Sequence, residues 1–413
     1  MGLFKCCFNI GLYFAALIGF LALIPLPPFN STFTKYSVVP AKPLTGSLAL
    51  NEKLSGAKKL FENQLKGPEG LAYHEGFLYT TIHGGHVVKI YDDKIIPVMK
   101  FGKLCGAYQS KIFIYDGLYE EHLCGRPLGL TFDSKGALYI ADCYNGIFKV
   151  NVSSTDQKEH LVTMNDIIEG KTPKIPNSVA VASDGTVYWT DSDTNHALHD
   201  GIFTMLVDGT GRLVKYDPKS KKNTVLLNNL QFANGIALSD DESFIIVAET
   251  LKFRIHKYYL KGPKAQKSEI FVDGLPGMPD NLKSNKRGSF YVPLVISRTP
   301  YLDDIGSYPN LRMIFAKLLG VLDFTLQTMD FYYPNIYFKK AYHWVGHFES
   351  ISFPNKMLTI LKINENGVIT SSFHSTKGDI LNICDIEIVG DKLYLGSPFN
   401  NYLGVVDLPK DFI

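Results

Sequence analysis

Short runs in which hydrophobic and polar positions alternate recur along most of this chain. In one run, Leu71-Ala72-Tyr73 is followed by a Gly-containing turn and then by Leu78-Tyr79-Thr80. Alternation over four to eight residues that ends at Gly, Asn or Asp predicts half-buried strands joined by tight turns. The same arrangement begins again at Leu128, Val179, Ile236, Asn281 and Ile386.

The spacing of these copies is about 45 to 60 residues, apart from one long gap before the last, and such a period is typical of propeller blades. Four antiparallel strands in each of six blades account for nearly all of residues 60–410. The sequence therefore predicts an all-β fold, a six-bladed β-propeller. A β-sandwich is the alternative, but it does not explain a repeat of this length.

Near the N-terminus, the segment Phe8–Leu26 is almost wholly apolar and has the length of a membrane-spanning helix. No convincing cleavage site precedes Asn30, so we favour a retained signal anchor over a cleaved signal peptide. Lys5 on the short side favours a cytoplasmic N-terminus and a lumenal or extracellular body. We expect a single-pass type II protein of the endoplasmic reticulum or plasma membrane.

The long gap in the repeat holds a second apolar stretch, which continues from Leu311 through Leu326 and is expected to be helical. Its apolar side chains fall on nearly every helical face, which predicts burial rather than a solvated surface helix. We favour a lid packed over one end of the propeller. The alternative is an interfacial helix (311–326) that rests on the same membrane as the anchor.

These segments predict a linear organisation of the chain. Residues 1–28 form a cytoplasmic stub and transmembrane anchor, 29–59 a stalk, and 60–413 the propeller, with a helical insertion at 305–345. The aromatic content of 13% agrees with a strand-rich body. The net charge of +2 and the lack of long single-sign runs give no indication of a nucleic-acid partner.

The cysteines and sequons agree with an oxidising compartment. Cys105 and Cys124 lie in one candidate loop-and-strand region and are the natural disulfide pair there. Cys143 and Cys384 sit in strand-like runs and are expected to be buried small hydrophobes. Asn151 begins an Asn-x-Ser sequon and is the better candidate for glycosylation.

Four oxygen-bearing side chains occupy the same point of the repeat, namely Glu69, Asn177, Asn234 and Asp280. If the repeats are blades around an axis, these side chains converge. Two carboxylates and two amide carbonyls suit a hard cation such as Ca²⁺. Each residue alone is more typical of an ordinary turn, and only their matching positions favour a metal site. Asn281 is a candidate extra ligand, and Asp280 is the candidate nucleophile or general base.

The histidines near these segments do not show metal-ligand spacing, so we expect solvated loop residues. They are His83, His86, His122, His196 and His199. A catalytic role for His196 or His199 requires that their loop fold over the axial pocket.

Several motifs resemble those of strictosidine synthase and its animal relatives. They are Cys124-Gly125-Arg126-Pro127-Leu128-Gly129-Leu130, Gly211-Arg212-Leu213-Val214-Lys215-Tyr216-Asp217, and Val247-Ala248-Glu249-Thr250 followed by Arg254-Ile255. Pro309-Asn310-Leu311-Arg312-Met313-Ile314-Phe315 resembles the insertion of the adipocyte plasma membrane-associated protein and hemomucin group of that family. The resemblance implies a six-bladed propeller, type II topology, a Cys105–Cys124 disulfide, and kinship with paraoxonases and other calcium-dependent esterases and lactonases.

The sequence also departs from its relatives. The catalytic Glu of strictosidine synthase falls on Cys384, with Asp385 beside it, which argues against a Pictet–Spengler condensation. The paraoxonase histidines fall on Leu128 and Cys143. A paraoxonase carboxylate falls on Gly70, which counts against a second, structural calcium.

Together these features predict a membrane-anchored, calcium-dependent hydrolase of small esters or lactones, arylesterase-like in its chemistry. The alternative is a receptor or adhesion module in which the calcium is structural. Propellers host both roles, so the fold does not decide between them. The intact metal set favours the enzyme, and the missing histidines favour the module.

Overall fold

The structure is a computed structural model that describes residues 23–105, 117–154, 158–351 and 357–413, and six separate positions between 9 and 21. The chain divides into two compact units. A sheet unit comprises Val38–Leu198, Gly209–Thr299 and Ser352–Ile413, and a helical unit comprises Met1–Ser37, His199–Asp208 and Pro300–Ile351.

The described residues of the sheet unit form six antiparallel sheets, numbered here I to VI. Sheet I contains β2 (Leu71–His74), β3 (Phe77–Ile82), β4 (His86–Tyr91) and β5 (Lys94–Lys100). Sheet II contains β6 (Pro127–Phe132), β7 (Ala137–Asp142), β8 (Gly146–Asn151) and β9 (Lys158–Val162). Sheet III contains β10 (Pro176–Val181), β11 (Val187–Asp191), β12 (Gly211–Asp217) and β13 (Lys222–Leu230). Sheet IV contains β14 (Ala233–Leu238), β15 (Phe244–Glu249), β16 (Arg254–Tyr259) and β17 (Ser268–Val272).

The last two sheets are less regular. Sheet V contains β18 (Gly277–Pro279), β19 (Lys283–Ser284), β20 (Ser289–Ser297), β21 (Leu358–Asn364) and β22 (Ile369–Ser375). Sheet VI contains β23 (Asp385–Val389), β24 (Lys392–Gly396), β25 (Leu403–Asp407) and the early strand β1 (Lys58–Leu60). A short helix, α1 (Glu121–Cys124), precedes sheet II.

The first strand of each sheet packs beside the first strand of the next. β2 neighbours β6, β6 neighbours β10, β10 neighbours β14, β14 neighbours β19, and β2 also neighbours β23. The Asn281 N–H donates to the Cys384 carbonyl at 3.0 Å, which joins sheet V to sheet VI. The inner strands of successive sheets thus lie next to one another.

Two glycines permit close approach between these strands. A Cβ at Gly129 would lie 2.5 Å from the Asn177 carbonyl, and one at Gly235 would lie 2.4 Å from the Asp280 carbonyl. Such distances exclude any side chain, so glycine is needed where each inner strand meets its neighbour.

Sheet VI is completed from both ends of the unit. β1 pairs antiparallel with β25, and Lys59 lies opposite Gly404. Between the sheets, apolar side chains on alternate strand positions form the core; Tyr139, Trp189 and Val214 belong to one such cluster. The molecule is thus largely all-β, with several four-stranded sheets, which is consistent with the predicted propeller.

The helical unit contains α2 (Gly201–Leu206), α3 (Pro300–Asp304), α4 (Pro309–Tyr332) and α5 (Ile336–Gly346). The last three fall between β20 and β21. The expectation that the apolar residues of this segment are buried is wrong for many of them, since Leu311, Phe315 and Phe324 are all more than half exposed. The buried positions of α4 are instead Arg312, Ala316, Gly320 and Asp323.

The predicted anchor at 8–26 lies largely outside the described residues. Among the residues that are described, no helix combines the length and the apolar character needed to cross a membrane.

The predicted disulfide is confirmed, because Cys105 and Cys124 are bonded. Cys143 and Cys384 are free and fully buried, as expected. Asn151 is exposed at the end of β8, and its glycosylation stays a prediction.

Candidate metal centre

Bulges at the start of the inner strands position two of the predicted ligands. The register of β10 shifts between Pro176 and Val179, and that of β14 shifts between Ala233 and Ile236. Each shift contains one ligand, Asn177 or Asn234. A bulge inserts an unpaired residue and re-aims its side chain. The repeated bulge therefore explains why both amides leave the alternating pattern of their strands.

Threonines hold the backbone beside the predicted ligands. The Gly70 N–H donates to Thr81 Oγ1 at 2.9 Å, and Thr81 Oγ1 donates to the Leu128 carbonyl at 3.2 Å. In sheet III, Thr190 Oγ1 likewise donates to the Asn234 carbonyl at 2.9 Å. Both hydroxyls link one inner strand to the next, so the ligand positions are fixed relative to one another.

The carboxylates of Glu69 and Asp280 and the Sγ atom of Cys384 lie within 4.8 Å of one another. A hydrogen bond from the Asn234 side chain reaches the Asp280 carboxyl. All four predicted ligands at the repeated position are buried. The structure therefore brings together Glu69, Asn234 and Asp280, and Asn177 occupies the equivalent bulge of the neighbouring sheet.

Three oxygen atoms of these side chains lack a hydrogen-bond partner although they are buried. They are Asn177 Oδ1, Asn234 Oδ1 and Asp280 Oδ1. An unsatisfied buried polar atom costs about 1–3 kcal/mol, so three among the predicted ligands require an explanation. All three are hard oxygen donors, which is the set that Ca²⁺ prefers. The residues present thus fit the cation that the sequence predicts.

Asn281 occupies a different position from the other candidates. It is buried beside Asp280 and lines a cavity of about 220 Å³ between the inner strands, together with Asp385 and Lys283. Its backbone links sheets V and VI. Its side chain is not among the unsatisfied atoms of the described residues.

The charge of Asp280 is the least compensated at the site. Burial raises the pKa of its carboxyl well above the usual range, and the neighbouring carboxylates of Glu69 and Asp385 add to the rise. Asp280 forms no ion pair with any other described residue. A bound cation reverses this preference, since an opposite charge favours the ionised carboxylate.

The sequence did not reveal that the site contains a positively charged side chain, that of Arg126. Arg126 Nη2 donates to Glu69 Oε2 at 2.8 Å, and Arg126 Nε lies 3.6 Å from Glu121 Oε1. Glu121 Oε1 in turn lies 3.1 Å from His83 Nδ1. With Glu69, Glu121 and Asp280 ionised, one guanidinium leaves two negative charges, which matches a divalent cation. The only signal in the sequence was the position of Arg126 within a family motif.

The expectation of solvated histidines is wrong for three of the five. His83, His86 and His196 are buried, whereas His122 is exposed and His199 is partly exposed. The Gly84-Gly85 turn folds His83 inward, where a Cβ at Gly67 would meet its ring at 2.3 Å. His196 Nδ1 lies 3.5 Å from Asp193 Oδ1.

The positions at which this chain departs from its relatives are also buried. Leu128 and Cys143 are in the interior, and burial raises the pKa of the Cys143 thiol. Burial and the nearby Asp280 raise the pKa of the Cys384 thiol well above its usual range. A protonated thiol is a poor nucleophile and metal ligand, so the oxygen donors define this centre.

Asp385, next to Cys384, lines the same cavity as Asn281. Burial raises its pKa to about 6, although Lys283 opposes the rise. Its Oδ2 atom accepts a hydrogen bond from the Leu71 N–H at 2.8 Å. Lys283 Nζ lies 3.9 Å from Asp385 and 2.9 Å from Glu387, so an internal ammonium already balances these carboxylates.

Two family models match parts of the chain. Strictosidine synthase matches residues 177–263, and the N-terminal region of strictosidine synthase-like proteins matches residues 46–90. The second match lies within the sheet unit, and the first combines sheet-unit residues with His199–Asp208 of the helical unit. Together they include Glu69, Asn177 and Asn234.

Two solved structures share the fold at low sequence identity. A gluconolactonase from Xanthomonas campestris is 13% identical, with a TM-score of 0.53 over 94% of this chain and 99% of that one. A luciferin-regenerating enzyme is 14% identical, with a TM-score of 0.50 over 85% and 94% of the two chains. These likenesses concern the fold alone.

Curated relatives cover most of the chain. Hemomucin from Drosophila melanogaster, an adipocyte plasma membrane-associated protein, is 39% identical over 408 residues, which is 95% of this chain and 68% of the relative. The human adipocyte plasma membrane-associated protein is 31% identical over 362 residues, 86% of this chain and 78% of the relative. The Arabidopsis thaliana protein Strictosidine synthase-like 3 is 31% identical over 366 residues, 86% of each. The chain therefore belongs to the strictosidine synthase-like family, in the group of hemomucin and the adipocyte plasma membrane-associated proteins.

Proposed function

We propose that this protein is a calcium-dependent hydrolase of small esters or lactones, with its metal on the axis of a six-bladed propeller. The observation that carries the proposal is the set of unsatisfied, buried oxygens on Asn177, Asn234 and Asp280, with the Asp280 carboxylate within 4.8 Å of the Glu69 carboxylate. The proposal includes a single-pass type II topology in the endoplasmic reticulum or plasma membrane, with the propeller on the lumenal or extracellular side.

Glu69, Asn177, Asn234 and Asp280 would hold the ion. Bound Ca²⁺ would supply a positive charge that polarises a carbonyl oxygen and stabilises developing oxyanion charge. Asp280 is suited to act as nucleophile or general base, because its Oδ1 atom makes no hydrogen bond and bound Ca²⁺ would keep its carboxylate ionised.

Arg126 acts as a positioning residue in this proposal. Its guanidinium donates to Glu69 Oε2, and it also donates to the Pro127 carbonyl at 3.3 Å. These bonds fix the orientation of the Glu69 carboxylate before any ion arrives. Preorganised ligands bind more strongly because less side-chain freedom is lost on binding.

A second candidate is a binding module in which the same ion is structural. Burial of Leu128 and Cys143, where paraoxonases carry histidines, favours it, because neither side chain transfers protons near neutral pH. The two candidates share the metal and differ in whether Asp280 performs chemistry.

The test is hydrolysis of phenyl acetate by the full chain in detergent, with calcium and with excess chelator. We expect chelator-sensitive turnover that falls by at least about 100-fold in Asp280→Asn, the loss typical of a missing acid–base group. Calcium binding by that variant is measured in parallel. Asp391→Asn, at an exposed turn of sheet VI, is the matched control and keeps full activity.

The outcomes separate the candidates. Turnover that resists both chelator and Asp280→Asn excludes the metal-dependent mechanism. No turnover at any calcium concentration, combined with a melting temperature that rises with calcium, establishes the binding module instead.

A further inference from the structure

Helix α4 has its polar side inward and its apolar side outward. Its buried positions include two charged residues, Arg312 and Asp323. Arg312 donates to the Leu206 carbonyl at 2.9 Å and also to the Thr34 carbonyl, and it lies 3.6 Å from Asp208. A surface helix of a soluble protein has the opposite arrangement. The exposed side of α4 is therefore built for surroundings other than water.

Most of the large exposed apolar residues of α4 form one stripe, and Val321, Phe324 and Phe331 lie outside it. Its members recur at intervals of three, four or seven residues, which places them on one helical face. They are Leu311, Phe315, Leu318, Leu322, Met329 and Tyr332, all substantially exposed. The helix has 24 residues and is about 36 Å long, so the stripe is much larger than a scattered surface hydrophobe.

Helix α5 extends this surface with residues typical of a lipid–water boundary. Tyr337 and Trp344, seven positions apart, are 75% and 71% exposed. Tyrosine and tryptophan are enriched at the level of lipid headgroups, where one end of the ring is apolar and the other is hydrated. Lys340 lies on the same side of α5 and is exposed. Residues 309–346 contain four Lys/Arg and two Asp, which suits lipid phosphates.

The position of α4 beside the predicted anchor identifies the apolar medium. Lys317 Nζ donates to the carbonyls of Leu21 and Ile24 at 2.7 and 3.0 Å. A Cβ at Gly320 would lie 2.4 Å from the Pro27 carbonyl, so the chain that leaves the apolar segment runs directly against α4. The stripe thus belongs to the same compact unit as the end of the segment expected to enter the bilayer.

We propose that the stripe of α4 and the aromatic face of α5 lie in the interfacial zone of the phospholipid bilayer that holds the anchor. Apolar side chains enter the acyl boundary, the aromatic rings lie at the headgroups, and Lys340 contacts phosphates. The helical unit is then attached to the membrane along a surface and not only through one helix. This inference concerns membrane contact and is independent of catalysis.

Intrinsic fluorescence tests the proposal because the chain has only two tryptophans. Trp189 is fully buried in the sheet unit, and Trp344 is exposed on α5. The full chain is reconstituted in phosphatidylcholine vesicles with acyl-chain bromine as a quencher. We expect bromolipid to quench a component of the emission that disappears in Trp344→Phe, while Trp189 emission is unaffected.

A double substitution that introduces negative charge into the stripe is the second variant. Leu318→Glu combined with Leu322→Glu places carboxylates where acyl chains are expected, so bromolipid quenching of Trp344 is lost and quenching by aqueous iodide appears. Tyr91→Glu, at an exposed apolar position of β4, is the control and leaves the quenching unchanged. Unaltered Trp189 emission verifies that each variant is folded.

Two results overturn the proposal. Quenching of wild-type Trp344 by iodide but not by bromolipid places α5 in water. Protection from both quenchers, together with dimers after cross-linking, assigns the surface to a second copy of the chain.

Discussion

Arg126 is buried, and its guanidinium lies between the carboxylates of Glu69 and Glu121. Removing one partner of a buried ion pair typically costs about 3–5 kcal/mol, because the remaining charge is left uncompensated. We expect Arg126→Met to lower the free energy of unfolding by this amount in chelator. Added calcium should restore more of the melting temperature than in the wild type, since the ion replaces the lost positive charge.

A matched variant isolates the effect of the ion. Arg212 Nη2 lies 2.7 Å from Asp191 Oδ2 in another buried pair, neither member of which is a predicted metal ligand. Arg212→Met should destabilise to a similar degree without calcium-dependent recovery. Equal responses of the two variants to calcium would show that Arg126 is not coupled to the metal centre.

Individual site residues differed in how visible they were in the sequence. Asn177 and Asn234 were found because a repeat fixes their positions, and equivalent positions of a repeat occupy equivalent places around an axis. The Arg126–Glu69 bond joins residues 57 positions apart that share no repeat position. Nothing local marks such a pair, and the inward turn of His83 likewise depends on packing against Gly67.

At the scale of elements, α4 contains a buried carboxyl group, that of Asp323, and its ionised form is unfavourable in the folded protein. Burial raises the pKa of Asp323 to about 7, and the nearby Asp200 adds to the rise although His199 opposes it. The folded chain then holds a proton that the unfolded chain releases near pH 4. The free energy of unfolding therefore falls as pH rises from about 4 to about 7.

Asp323→Asn should remove this dependence. We expect it to stabilise the protein at pH 8 by about 2–4 kcal/mol and to have little effect at pH 4. Thermal unfolding of the full chain at both pH values measures the difference. Asp330→Asn, at a partly exposed position of the same helix, is the control. A gain that is equal at the two pH values would contradict the ionisation of Asp323 as its cause.

The elements themselves followed the sequence pattern unevenly. The sequence pattern predicted strands such as β3 and β7, but every residue after the first of each strand is buried, so both faces are covered and not one. The sequence did not predict the bulges of β10 and β14, because a single unpaired residue does not change the hydrophobic periodicity of a strand. For α4, apolar residues on many faces concealed the buried side, which is set by carbonyls of the distant Thr34 and Leu206.

At the scale of the whole molecule, sheet VI depends on β1, which contributes only Lys58–Leu60. The N–H groups of adjacent strand residues point to opposite edges of the strand, so only one of the two N–H groups of Lys58 and Lys59 can bond to β25. Proline has no N–H, so replacing both residues with proline removes that hydrogen bond. We expect Lys58→Pro with Lys59→Pro to lower the apparent melting temperature by about 5 °C or more. Lys58→Ala with Lys59→Ala keeps both N–H groups and should change it little. An equal loss in both pairs would assign the effect to the side chains.

The repeat predicted the sheets, but it did not predict that β1 pairs with β25. Six copies of a strand pattern were countable, but Lys58-Lys59-Leu60 is short and does not alternate, so it carried no strand signal. Its partner, Leu403–Asp407, lies at the opposite end of the sequence. Pairing between strands so far apart in the sequence depends on the whole fold and is not predicted by a local sequence pattern.

The pairing of β1 with β25 also imposes an order on biosynthesis. A nascent chain emerges N-terminus first, so sheets I to IV can form, and Cys105 can join Cys124, while the last residues are still being translated. Lys58–Leu60 must wait for Leu403–Asp407, and until then the chain presents unpaired strand edges. A premature stop near the C-terminus therefore removes the partner of the first strand, and its product is a substrate for chaperones rather than a slightly shorter protein.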